Sequence, residues 1–240
     1  MKTGLIGNGY WGSIVEKKLE KLSELKFVAN SKTDITNIIN DVDMVFVCTP
    51  TNTHYDIVKY CLLNNKNVFC EKPFTGSYIK ALELMSLAKR NKLNIIIDHV
   101  FLYRNEYKDI SNLDNIKFIW NKQEIIKENI LDSLLYHDLY MLIDITKCID
   151  WEIIKKIVSK EKLYLKLKSN KKNVEIIYNR NCNYKQKQII LNNNVIDFSI
   201  PKNDALYDIL NLILNNSINI VNNNDLCLKT LNLKEKILKC

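Results

Sequence analysis

Lys2-Thr3-Gly4-Leu5-Ile6-Gly7-Asn8-Gly9-Tyr10-Trp11-Gly12 decides the architecture of this chain, because four of its five glycines lie in these first twelve residues and three of them spell Gly-x-Gly-x-x-Gly. Glycine is needed where backbone turns sharply or approaches a ligand closely. Thr3–Ile6 reads as the short buried strand that such a loop leaves, and a helix is expected to begin near Tyr10. Its first N–H groups would face a pyrophosphate, favoured there by hydrogen bonding and by the helix dipole. The pattern alone equally fits a tight strand-to-helix turn with no ligand, so the residues beyond it carry the decision.

Working outward to about Asp98, apolar strands alternate with amphipathic helices. Strands are expected at Gly4–Ile6, Phe27–Ala29, Met44–Cys48, Val68–Cys70 and Asn94–Asp98. Helices are expected near Gly12–Leu22, Ile35–Asn40, His54–Leu63 and Ser77–Asn91. Hydrophobic, β-branched strands alternating with helices imply a doubly wound parallel α/β sheet covered on both faces, with ligands at the carboxyl ends of its strands. Beyond Tyr103 the pattern changes. A strand at Ile116–Trp120 and a long helix at Ile130–Lys147 precede strands at Leu163–Lys168, Val174–Tyr178, Lys187–Leu191 and Val195–Ile200, with polar turns such as Asn192–Asn194. Helices near Ala205–Leu214 and Asp225–Leu238 close the chain. Consecutive strands with short turns predict a smaller α+β domain with a mostly antiparallel sheet. The expected division is therefore a dinucleotide-binding Rossmann domain at residues 1–103 and a substrate-binding and oligomerisation domain at 104–240.

Composition narrows the function classes. At 240 residues with 47% hydrophobic content the chain suits a globular protein with a sizeable core. The formal charge of +8 is spread, with 13 basic against 10 acidic residues in positions 1–100 and 22 against 17 in the rest. Lys17, Lys18 and Lys21 alternate with Glu16, Glu20 and Glu24, the pattern of a solvated helix face, so no nucleic-acid partner is expected. The seven cysteines form no Cys-x-x-Cys pair and no metal-ligand spacing with the three histidines. Reduced thiols, a first strand at Lys2 and apolar runs too short to cross a bilayer predict a cytoplasmic protein without a metal or membrane partner.

Two of the three prolines end neighbouring strands. Met44–Cys48 runs into Thr49-Pro50-Thr51-Asn52-Thr53-His54, and Val68–Cys70 runs into Glu71-Lys72-Pro73. Both stops carry polar side chains toward one crevice, and a cis Lys72–Pro73 bond would fix the direction of the lysine. With Gly7-Asn8-Gly9-Tyr10-Trp11-Gly12, these motifs in this order resemble the Gfo/Idh/MocA (glucose-fructose oxidoreductase, inositol dehydrogenase, rhizopine catabolism) family across residues 1–100. Asp98-His99-x-Phe101-Leu102-Tyr103 resembles the hinge of its sugar-modifying members, Leu131–Asp144 its catalytic helix, and residues 204–240 its closing helices.

That resemblance implies an NAD(P)-dependent oxidoreductase moving hydride between nicotinamide and a hydroxyl or ketone carbon of a sugar, cyclitol or nucleotide sugar. Such a reaction needs an acid/base within hydrogen-bond reach of the reacting oxygen. Lys72 is the first candidate: a ligand-covered strand end strips hydration from its ammonium, whose charge also stabilises an alkoxide. His137 is the second, and its alternative reading is a packed core histidine. The family commonly has an aspartate four residues before this histidine. Here Ser133 holds that position and Asp132 lies one residue further back, a shift of about 100° on a helix; Asp138 is then a structural acid. Lys72, Tyr103, Asp132 and His137 are the expected substrate contacts. The resemblance places His54 and Glu71 near the nicotinamide ribose, with Thr49, Pro50 and Asn52 on the same edge. His54 reads equally as a helix-start residue behind an N-capping Thr53.

Cofactor choice rests on the tip of the strand ending at Ala29. NAD-preferring sites usually place an acid there, whereas this chain has Asn30, Ser31 and Lys32, a hydroxyl and a cation suited to a 2′-phosphate. NADP is therefore favoured over NAD, with Asp34 a small register shift from the ribose. Homodimers or higher homo-oligomers through the C-terminal sheet are expected from the family. Two other readings compete: a non-catalytic dinucleotide sensor on the same fold, which Ser133 and the short chain favour, and a scaffold whose sheet serves only subunit contact.

Overall fold

The computed structural model describes residues 1–107, 114–123, 130–192 and 194–240, and the backbone alone at positions 132 and 133. Asn193, in the expected Asn192–Asn194 turn, lies outside the described residues. Two compact units emerge, Met1–Val100 with Leu206–Leu228, and Phe101–Ala205 with Lys229–Cys240.

The first unit is built on β1 (Lys2–Ile6), β2 (Glu24–Ala29), β3 (Met44–Val47), β4 (Asn67–Cys70) and β5 (Ile95–Ile97), in the order β2-β1-β3-β4-β5 with every pair parallel. All of β3 and β5 and nearly all of β1 and β4 are buried. Uninterrupted apolar runs are what a sheet covered on both faces requires. The connecting helices α1 (Tyr10–Leu22), α2 (Thr51–Leu63) and α3 (Tyr78–Arg90) turn one face inward, through Val15 and Leu19, Val58 and Leu62, and Ala81 and Leu84. Residues expected to form a helix at Ile35–Asn40 make only a 3-10 turn at Ile38–Asp41. Inside the sheet Phe46 and Phe69 stack with ring centroids 5.2 Å apart, and truncating either to Ala would cost about 3–5 kcal/mol.

A single cut after residue 103 does not describe this partition, because Leu206–Leu228 returns to the first unit. The reason is local to β5, an edge strand. The Asn223 side chain accepts from the Ile97 N–H at 2.8 Å and donates to its carbonyl at 2.9 Å, completing the hydrogen bonding a sixth strand would supply.

The second unit carries β6 (Asn115–Asn121), α4 (Ile130–Ser133), α5 (Leu135–Thr146), β7 (Glu152–Val158), β8 (Lys162–Ser169), β9 (Lys172–Asn179), β10 (Gln186–Leu191) and β11 (Asn194–Asp197). Its six strands run β11-β10-β6-β9-β8-β7, antiparallel except for the parallel β6–β9 pair. Strand β7 was not expected from the sequence. The long helix expected at Ile130–Lys147 is two pieces meeting at Leu134, with His137 N–H reaching back only three residues to the Leu134 carbonyl. Every residue of α5 from Leu135 to Ile143 is buried. Helices α6 (Ala205–Leu214) and α7 (Ile220–Lys239) end the chain, and Lys236 of α7 donates to the Trp151 carbonyl at 2.7 Å.

Candidate active site

The glycine loop is set by its neighbours. Gly7 has φ +102°, and a Cβ there would lie 2.6 Å from the Cys48 carbonyl oxygen, so no other residue fits the turn leaving β1. A Cβ on Gly12 would overlap the Gly7 carbonyl, which fixes how closely α1 follows the loop. Nothing comes within 4 Å of a Cβ built on Gly9, leaving open space at the head of α1. That helix has no side-chain cap and no acid in its first turn. An uncapped helix N-terminus behind an open glycine is suited to the pyrophosphate of a dinucleotide. Asn8 and Tyr10 are exposed beside it.

The carboxyl ends of β3, β4 and β5 bring the next group together. Glu71 follows β4 and Asp98 follows β5; both are buried, at 8% and 1% exposure. Glu71 accepts from the Trp11 indole N–H of the glycine loop and from the Lys72 N–H at 3.2 Å. Lys72, half-buried, acts electrostatically on both carboxyls, and the Lys72–Pro73 bond is cis. Burial, reinforced by the charge of Asp98, pushes the Glu71 carboxyl well above the usual range. Burial likewise raises the Cys48 thiol, so it is inert.

His54, expected near the nicotinamide ribose, is buried and held by main chain. Its Nδ1 lies 3.0 Å from the Pro73 carbonyl and 3.2 Å from that of Phe74, and its Nε2 lies 2.8 Å from the carbonyl of Thr49. Both nitrogens thus face main chain, and the ring braces the turn after β3 against the turn after β4. Burial lowers its pKa. Thr53 is not the N-cap of α2, which begins at Thr51 behind Pro50; the Thr53 hydroxyl donates to the Pro50 carbonyl and the Thr49 hydroxyl, each at 2.8 Å. Asn52 is exposed.

At the tip of β2, Asn30 accepts from the Lys32 N–H at 2.9 Å, which leaves Ser31 and Lys32 exposed at the apex of the turn. The Asp34 carboxylate is engaged by the N–H of Thr36 at 2.9 Å and by its hydroxyl.

In the second unit His137 sits in the first turn of α5. Its Nδ1 is 3.3 Å from the Tyr140 hydroxyl, which accepts from the Phe101 N–H at 3.2 Å. The imidazole packs edge-on to Phe101 at 4.6 Å. Asp138, next along, accepts from the Tyr178 hydroxyl at 2.6 Å, and burial raises its pKa to about 6. Lys187, only 5% exposed, holds its ammonium 3.3 Å from the Phe101 ring centroid and 3.5 Å from that of Trp120, and its charge draws the Asp138 pKa back down. Tyr103 presents its carbonyl to the Asn203 amide at 2.9 Å.

Residues 2–99 match the family model of oxidoreductases with an NAD-binding Rossmann fold named for Gfo, Idh and MocA. Over these residues the chain is similar to the Gfo/Idh/MocA family. An uncharacterized oxidoreductase of Streptococcus pneumoniae is 25% identical over 154 residues, 57% of this chain and 39% of that protein. UDP-N-acetylglucosamine 3-dehydrogenase of Acidithiobacillus ferrooxidans is 26% identical over 116 residues, 42% of this chain and 37% of the enzyme. The matched sequence thus spans about two fifths of the length of these relatives. The solved structure of the same enzyme superposes with a TM-score of 0.84 over 99% of this chain and 96% of that one, at 16% identity, which shows a shared fold. The WlbA (WbpB) dehydrogenase of Thermus thermophilus, solved with NAD and UDP-GlcNAcA, superposes with a TM-score of 0.82 at 11% identity over 99% of this chain and 94% of that one.

Against the Gfo/Idh/MocA pattern, the break at Leu134 changes the question asked of Asp132. Helical spacing from His137 cannot be carried across it, and the side chains of Asp132 and Ser133 lie outside the described residues. Sequence reasoning also missed Asp98 and Lys187. Asp98 was visible only as part of a hinge motif, and Lys187 was hidden among 35 basic residues.

Proposed function

We propose that this chain is an NAD(P)-dependent oxidoreductase acting on a hydroxyl or ketone carbon of a polyhydroxylated small molecule, with a nucleotide sugar the leading substrate class. The observation that carries the reading is the link between the glycine loop and Glu71-Lys72-Pro73 through the Trp11–Glu71 hydrogen bond. It couples an anion-binding helix start to a lysine at the end of β4, within one compact unit. The backbone of Gly7 to Gly12 would hold the pyrophosphate, and Thr49 and Pro50 the edge toward the nicotinamide. The nicotinamide, when bound, supplies or accepts the hydride.

Lys72 is assigned the proton exchange with the reacting oxygen, and its charge stabilises an alkoxide. His137, whose Nδ1 is 3.3 Å from the Tyr140 hydroxyl, is assigned as the second proton carrier. The absence of an acid at the β2 tip, and the engagement of Asp34 by Thr36, support NADP over NAD. The nucleotide-sugar class is supported by the names of relatives that act on or bind UDP sugars. We assign a homodimer contact to the open face of the six-stranded sheet, where Ile119, Ile177 and Ile190 are half-buried.

The experiment is titration with NADPH and NADH, followed by a screen of sugars and nucleotide sugars for absorbance change of the reduced nicotinamide. Cofactor binding with turnover supports the assignment; binding without turnover on any substrate points to the sensor; no binding refutes both.

A further inference from the structure

Glu71 and Asp98 lie side by side at the ends of adjacent strands, with the Asp98 N–H donating to the Cys70 carbonyl at 3.0 Å. Two ionised carboxylates buried at this separation from solvent, with Lys72 as the cation acting on both, would leave one uncompensated negative charge. One proton removes it, making the cluster of Glu71, Asp98 and Lys72 neutral. We propose that Glu71 and Asp98 hold a single proton between them and that this pair recharges Lys72 after it has given a proton to a bound alkoxide.

Burial and the neighbouring charges favour one member of the pair as the proton's resting place. Glu71 takes the larger upward push, from burial and then from the Asp98 charge, while Asp98, also raised by burial, is relieved by the hydrogen bond with Glu71. Glu71 is therefore the acid and Asp98 the carboxylate that receives its O–H. One Asp98 oxygen, Oδ1, has no hydrogen-bond partner among the described residues and is buried, so the carboxylate keeps an acceptor for a donor brought in by ligand. Titratable neighbours include the thiols of Cys70 on β4 and Cys48 after β3, both held neutral by burial, buried His99 next to Asp98, and His54, on which the Lys72 charge acts. Neither thiol competes for the proton.

The step balances as follows. An Nζ–H bond of Lys72 breaks as an O–H bond forms on the alkoxide, leaving a neutral amine. The Glu71 O–H bond then breaks and an Nζ–H bond forms, giving an ammonium beside two carboxylates. A proton taken up from solvent then restores Glu71 and returns the cluster to neutrality. This recharging role rests on the oxidoreductase reading, whereas the shared proton does not.

The test exploits Trp11, whose indole N–H is bonded to Glu71. Its cross-peak in a proton–nitrogen NMR spectrum, assigned by its loss in Trp11→Phe, is followed with pH in the ligand-free protein. The expected midpoint lies well above the ordinary carboxylate range, falls in Asp98→Asn, where the like charge is gone, and vanishes in Glu71→Gln. A wild-type midpoint in the ordinary carboxylate range overturns the shared proton, as does one unmoved by Asp98→Asn. If turnover is found, the alkaline limb of its pH profile should move with the NMR midpoint between wild type and Asp98→Asn; a limb that stays in place overturns the recharging role. Failure to bind either nicotinamide nucleotide would sink the oxidoreductase reading and the recharging role while leaving the titration standing.

Discussion

Asp138→Asn isolates one buried charge whose effect on stability has a calculable pH dependence. The carboxyl is raised from 3.8 to about 6, chiefly by burial, although the Lys187 charge and the Tyr178 hydroxyl act to lower it. A group whose folded pKa exceeds its unfolded value stabilises the fold while protonated, and that stability is lost as pH rises through the folded pKa. The window runs from about pH 4 to somewhat above pH 6. A shift of about 2 units corresponds to about 3 kcal/mol across it. Asn keeps an oxygen for the Tyr178 hydroxyl but cannot ionise. Unfolding free energies of wild type and variant, measured in urea from pH 4 to 7.5, should therefore differ by an amount that rises by about 3 kcal/mol in the variant's favour. The attraction to Lys187 is already contained in the Asp138 pKa and adds no separate contribution to this difference. A pH-independent difference, or one that falls with pH, would refute the assignment of a raised pKa to Asp138.

The remaining expectations follow from single contacts. Gly7→Ala puts a Cβ against the Cys48 backbone at positive φ, so stability should fall by about 1–3 kcal/mol in urea denaturation, with weakened nucleotide binding by calorimetry. Lys72→Ala should lower any turnover about 100-fold or more while cofactor affinity changes little; unchanged turnover would remove the lysine from the mechanism. Lys32→Asp should shift the NADP-to-NAD affinity ratio toward NAD by about tenfold or more, read by fluorescence titration with both nucleotides. Asn223→Ala strips the edge of β5 of two hydrogen bonds and should cost about 2–4 kcal/mol, with faster amide exchange at Ile97.

The parallel half of the fold was legible because strands buried on both faces write themselves as apolar runs, and because Gly7 and Gly12 have no substitute where they stand. Strand β7 was not, since it is an edge strand with most of its residues exposed, and its four Ile and Val residues flank Lys155-Lys156 without alternating. The break at Leu134 lay inside a run apolar enough to read as one helix. His54 was placed by its motif near the ribose, but nothing in sequence shows that three main-chain carbonyls surround its ring. Asn223 was lost in the run Asn222-Asn223-Asn224, where compositional bias makes one structural amide look like its neighbours.

Lys187 was missed for the same reason, yet its position was readable. Along Gln186-Lys187-Gln188-Ile189-Ile190-Leu191 the buried positions are 187, 189 and 191, so the lysine is in phase with Ile189 and Leu191 rather than with the polar face. The opposed strand has the same parity, with Trp120 paired to Lys187 and Ile116 to Leu191. A cation in phase with the core must be sheltered by aromatic faces or by an acid. Phe101, Trp120 and Asp138 supply both. In a chain where lysine is everywhere, the phase of a lysine within its strand, and not its presence, separates a site from a surface.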